Sequence, residues 1–158
     1  MSTKARIERV VSGGQTGVDR AALDVAIAHD IPHGGWCPRG RRAEDGRIPD
    51  EYALREHDSP AYAARTEQNV IDSDGTLVLT IGDPQGGTAL TMQLAARHRR
   101  PFLVVDLDDP PAPATIVAWI DVHAVRVLNV AGPRESTHPG IHDRAAGFLH
   151  RIVADDAD

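Results

Sequence analysis

The stretch Ser12-Gly13-Gly14-Gln15-Thr16-Gly17-Val18-Asp19-Arg20 follows directly on the apolar run 7–11. It reads as strand, glycine-rich turn, helix. That order aims several backbone N–H groups and the positive end of a helix at one point. Such a point suits an anion, most often a phosphate. Gly13 and Gly14 permit positive φ and a close approach of a ligand to the backbone. Ser12 and Thr16 add hydroxyls, Gln15 and Arg20 belong to the same candidate set, and Asp19 is placed to cap the helix. The loop reads GGQTG and not G-x-G-x-x-G, so the standard dinucleotide fingerprint is absent. A tight βα turn with a capped helix and no ligand is the other reading.

A second turn of the same kind, Asp83-Pro84-Gln85-Gly86-Gly87-Thr88, follows the apolar run 75–81. Two such loops on one sheet edge bring two helix N-termini to one crevice, with Gly86, Gly87 and Thr88 as contacts. Between them lies a polar loop with Arg39, Arg41 and Arg42 within four positions. Arginine forks match phosphate or carboxylate oxygens. Trp36 is the candidate for stacking on a flat ring, Arg134 follows the last strand and is placed to face the same crevice, and Arg65 lies on the helix that leads into the central strand and joins the candidate set. Cys37 has basic neighbours that would lower its pKa, but no base partner for a nucleophile. Acid–base chemistry would fall to Glu67, Asp19 or Asp106; helix-end carboxylates are more often caps. No His/Cys spacing marks a structural metal site.

The composition narrows the choices. A chain of 158 residues fits one domain, and one of this size buries about 70% of its unfolded surface. Its single cysteine excludes an internal disulfide. The net charge of −6 argues against nucleic acid as a partner. Lys4 is the only lysine, so any anion clamp is built of arginine and backbone N–H. No apolar run approaches a membrane span or a signal-peptide core. The expectation is a cytoplasmic protein without membrane partners.

These residues need elements to position them. Apolar runs at 7–11, 31–36, 75–81, 101–106 and 125–130 read as strands. Segments 18–29, 62–71, 88–98, 114–122 and 141–152 read as helices, and 37–50 as a long loop. Strands alternating with helices predict a three-layer α/β domain around a mostly parallel sheet. In such sheets ligands bind beyond the carboxyl ends of the strands. Residues 1–153 form the single domain, and 154–158 an acidic tail expected to fray.

Taken together, SGGQTGVDRAALD, HGGWCPRGRRAEDG, RTEQNVIDSDGTLVL, GGTALT and LNVAGPRES resemble the putative molybdenum carrier family, across about residues 10–149. The resemblance implies a Rossmann-like fold related to molybdenum-cofactor carrier proteins and to the lonely-guy phosphoribohydrolases. It further implies a homo-oligomer and, as ligand, the molybdenum cofactor (a pterin with a phosphate) or a nucleotide. The phosphoribohydrolases carry a helix Arg nine positions before the Asp that opens the central strand; Arg65 and Asp74 keep that spacing. Their PGGxGTxxE loop is shortened here to Gly86-Gly87-Thr88, and its catalytic Glu falls on Thr91. This departure favours a carrier or sensor of a phosphorylated small molecule. The alternative is a hydrolase cleaving an N-glycosidic or phosphoester bond of a nucleotide-like substrate. Interaction of the domain with DNA or protein is disfavoured by the negative charge.

Overall fold

The structure is a computed structural model that describes residues 7–157. In chain order the elements are β1 (Arg9–Val11), α1 (Val18–Ala28), β2 (His33–Gly34), β3 (Trp36–Cys37), β4 (Arg42–Ala43), β5 (Gly46–Arg47) and β6 (Arg55–Glu56). They continue with α2 (Tyr62–Ile71), β7 (Gly75–Thr80), α3 (Gly86–Arg97), β8 (Phe102–Asp106), α4 (Pro113–Val122), β9 (Val127–Ala131) and α5 (Ile141–Ala157). Five strands form one parallel sheet in the order β2-β1-β9-β7-β8. Every residue of β7 is buried, so this strand needs cover on both faces. Helices α1, α4 and α5 supply one cover through a shared apolar cluster that includes Val18, Val25, Ile116, Ile120, Phe148 and Ile152. Helices α2 and α3 supply a second through Val70, Leu94 and Ala95. The result is the three-layer Rossmann-like arrangement that the alternation of elements predicts.

The order of strands decides where a ligand can sit. The chain leaves β1 for β2 on one side, and leaves β7 for β8 on the other. Strand β9 is inserted between β1 and β7. The connections therefore part above β1, β9 and β7 and leave a crevice at their carboxyl ends. Register at the opposite edge is held by Asp74, whose Oδ2 accepts from Arg126 N at 3.0 Å and Val127 N at 2.8 Å. Asp74 is thus a tie between the starts of β7 and β9, not a group of the crevice. Asp74→Ala should cost about 1–2 kcal/mol of stability in urea unfolding without changing ligand binding. A loss of binding with unchanged stability would assign Asp74 to the site instead.

Several boundaries differ from those read in the sequence. The run 31–36 is two short strands, because Gly35 at φ 123° turns the chain out of the main sheet. Strand β2 joins that sheet, whereas β3 pairs with β6 in a separate ribbon. The loop 37–50 holds the small antiparallel hairpin β4–β5. Gly86 and Gly87 are not in a loop but form the first turn of α3. The acidic end expected to fray continues α5 to Ala157, and Asp156 is buried, its carboxylate accepting from Ile7 N at 3.2 Å. Residue 158 lies outside the described residues. No helix among the described residues is long and apolar enough to cross a membrane.

Candidate functional site

The crevice above β1, β9 and β7 encloses about 780 Å³. Its floor is the ends of β7 and β9, from Thr80 to Gly82 and from Ala131 to Arg134. One wall is the first turn of α3, with Gln85, Gly86, Gly87 and Thr88; another is Gln15 from the loop after β1 and Asp19 from the first turn of α1. Helix α2 closes the crevice with Tyr62, Arg65 and Thr66, which share one face by their spacing of three and four. Of the residues singled out in the sequence, this geometry brings together Gln15, Asp19, Arg65, Gly86, Gly87, Thr88 and Arg134. Thr91, at the position of the missing glutamate, also lines the crevice, and its hydroxyl donates to Gly87 O at 2.9 Å.

The two glycine loops have different fates. In the first, the N–H groups turn inward to the chain's own carboxylate. Gln15 N donates to Asp19 Oδ2 at 3.2 Å, and Ser12 Oγ donates to Asp19 O at 2.8 Å. Asp19 does not cap α1, whose N-terminal residue Gly17 has no side-chain partner; its carboxylate folds back instead beneath Arg65, at 3.6 Å. A Cβ on Gly13 would collide with Arg65 Nη1, so this glycine is what lets the guanidinium settle over the loop. Burial pushes the Asp19 carboxyl up to about 6, against the opposing pull of Arg65 and the Gln15 N–H. The second loop is open. The start of α3 has no side-chain cap, and a Cβ on Gly86 or Gly87 would meet nothing within 4 Å.

Other candidates hold the structure together away from the crevice. Ser12, Gly13, Gly14, Thr16 and Gly17 form the turn beneath it. Arg20 donates to Gly14 O and forms a bidentate pair with Asp45 at 2.5 and 2.8 Å. Arg41 is buried in its own loop and donates to the carbonyls of Ile48, Pro49 and Tyr52. Arg39 and Arg42 are exposed and line no part of the crevice. The arginine loop therefore supplies no clamp there. Its acidic tip does the opposite: Glu44 accepts from Thr16 Oγ1, Ser136 Oγ and Ser136 N and pairs with Arg134 at 3.6 Å. Those hydrogen bonds, Ser136 foremost, lower the Glu44 pKa.

Trp36 also lies elsewhere, its Nε1 donating to Asp72 at 2.7 Å and its ring against His57. The aromatic group at the crevice is Tyr62, half exposed, with the Arg65 guanidinium 5.6 Å from its ring. Glu67 points away because residues two apart on a helix are separated by about 200°, and it pairs with His98 at 2.8 Å. Asp106 closes the turn after β8 by accepting from Gly82 N and Asp108 N. Of the three candidate acids, only Asp19 faces the crevice. Burial raises the Cys37 thiol pKa, outweighing its basic neighbours. Tyr62, Thr137 and His138 were not singled out in the sequence; the spacing of Tyr62 to Arg65 is the one signal that pointed to any of them.

Comparison with known proteins gives two findings. The sequence profile of the circularly permutated YpsA SLOG family matches residues 10–153. Among solved structures, the chain is similar to a putative molybdenum carrier protein from Syntrophus aciditrophicus, with 46% identity and a TM-score of 0.92. That likeness covers 95% of this chain and 97% of the other. Comparison with curated proteins gives no match. The chain belongs to the circularly permutated YpsA SLOG family.

Proposed function

From that membership and from the crevice, we propose that this chain binds a phosphorylated small molecule, nucleotide-like or of the molybdopterin type, as a carrier or sensor. The observation that carries the reading is the uncapped first turn of α3 facing the crevice. Gly86 and Gly87 leave room for a phosphate, and the helix end favours negative charge. Arg65 and Arg134 line the same space and supply fork-shaped donors. Tyr62 offers a face for a flat ring.

The name of the solved relative speaks for molybdenum, and two features of the crevice fit that ligand. The crevice offers a phosphate position and a hydrogen-bonding amide, Gln15, for the pterin. Among the described residues, no cluster of three or more His, Cys, Asp or Glu could hold a metal ion. A molybdenum atom carried here would be held by its own pterin, and Gln15, Tyr62 and Arg65 would orient that pterin.

The test is mass spectrometry of small molecules released from the purified protein, with metal analysis of the same sample, followed by titration calorimetry. A nucleoside 5′-monophosphate or pterin phosphate should bind about 100-fold more tightly than its dephosphorylated form, from charge-assisted hydrogen bonds. Equal affinity for the two forms would remove the phosphate reading. A second reading, hydrolysis of an N-glycosidic or phosphoester bond, draws support from Asp19, whose pKa of about 6 suits a proton donor. It requires that Asp19→Asn abolish turnover of the released compound while binding it at least as tightly as the parent.

A further inference from the structure

We infer that Gln15 selects the ligand by accepting a hydrogen bond from an N–H or O–H group that the ligand presents beside its phosphate. The inference rests on the crevice binding a phosphorylated small molecule. Gln15 lines the crevice and is 4% exposed. Its amide nitrogen is committed, donating to Arg42 O at 2.8 Å. Its amide oxygen is buried and has no hydrogen-bond partner among the described residues.

The amide has one usable orientation. A backbone carbonyl only accepts, so the Gln15 nitrogen must face Arg42 O. Turning the amide over would set two oxygens against each other and lose that hydrogen bond. Arg42 cannot swing away to relieve this, because its hairpin is fastened to the same loop. Arg20 grips Asp45 on one side of the tip, and Thr16 and Ser136 grip Glu44 on the other. Among the described residues nothing donates to the oxygen: Gln15 N is already given to Asp19, and a carboxylate has no proton to donate when ionised. A buried acceptor left unpaired is costly. A ligand that brings a donor removes that cost, and one that brings an acceptor or a C–H does not. Because Arg42 O holds the amide in one orientation, the oxygen distinguishes a donor from an acceptor. Base amines, the pterin amine and sugar hydroxyls all carry such a donor.

The experiment compares matched ligands that differ by one donor, on the parent protein and on Gln15→Leu and Gln15→Met. Adenosine 5′-monophosphate is set against purine riboside 5′-monophosphate, guanosine against inosine 5′-monophosphate, and each nucleotide against its 2′- and 3′-deoxy forms. A pterin phosphate is set against its lumazine counterpart. Calorimetry on the parent should show one pair differing on the order of 10- to 100-fold. The pair that differs tells an amine from a hydroxyl. Both variants should bring that ratio close to one. A variant that weakens both members equally and keeps the ratio would reduce Gln15 to a tether for Arg42, and the inference fails. No discrimination by the parent among ligands that do bind would overturn it while leaving the phosphate reading intact. If no member of the panel binds the parent, both fall together. Gln15→Met, closest in length to the natural side chain, keeps the comparison available if the leucine variant does not fold.

Discussion

Arg65→Met should weaken binding of a phosphorylated ligand by about 100-fold, on the order of 3 kcal/mol, whereas Asp19→Asn should strengthen it. The opposite signs follow from one contact. The Arg65 guanidinium lies over Gly13 with its Nη1 3.6 Å from Asp19 Oδ2, and its Nε is buried with no partner among the described residues. Asp19 is buried beneath it, facing the same crevice. An arriving phosphate gains from the guanidinium and is repelled by the carboxylate. Methionine keeps an unbranched apolar stem and removes the charge and the donors.

The Asp19 effect should depend on pH in a definite direction. Its folded pKa is about 6, raised from 3.8 by burial. Below pH 5 the group is largely neutral and does not oppose an anion. As pH rises through about 6 it ionises, and ligand affinity should fall. Phosphate monoesters lose their own second proton near the same pH, so the useful quantity is the ratio of affinities, Asp19→Asn over parent. That ratio should be near one at pH 5 and about tenfold at pH 8. A ratio near one at every pH would remove Asp19 from the site's electrostatics. The same shift bears on stability. Because the pKa is raised on folding, the neutral carboxyl's contribution is fully present below pH 3.8 and is lost as pH rises through 6. Asp19→Asn should therefore gain stability relative to the parent in moving from pH 5 to pH 8.

What could be read from the sequence, and what could not, divides along physical lines. The central strand β7 and helix α2 were legible because apolar runs and helical spacing are local properties. The convergence of both glycine loops on one edge followed from strand–helix alternation. The use made of each polar residue was not legible, since a side chain's partner is set by contacts distant in sequence. Arg20 and Asp45 are 25 positions apart, Trp36 and Asp72 36, and Glu44 and Ser136 92. The three arginines looked like a clamp because charge density is visible in one dimension. Arg41 is instead spent on carbonyls of its own loop. Glu67 lies outside the crevice for a reason the sequence did contain: its place on α2, two residues from Arg65, sets it on the other side of the helix.

Gly17→Ala should destabilise the fold by about 3–5 kcal/mol, from left-handed strain and overpacking together. Gly17 has φ 82° and ψ −128°, a region essentially open to glycine alone. A Cβ there would lie 2.4 Å from Pro133 O and 2.8 Å from Glu135 N. Both are backbone atoms, so no rotamer change relieves the contact. The turn after β9 must move as a unit. That turn receives Val18 N on Pro133 O and carries Arg134 at the crevice wall. Ligand affinity should therefore fall with stability. Gly86→Ala makes the contrast: φ is 54°, but no atom lies within 4 Å of the added carbon, so strain alone remains, about 1–2 kcal/mol. Urea unfolding of the two variants measures the difference. If Gly17→Ala lost no more than Gly86→Ala, the close packing of α1 against the turn after β9 would not be what fixes Arg134 at the crevice wall. The arginine would then be held by Glu44 alone.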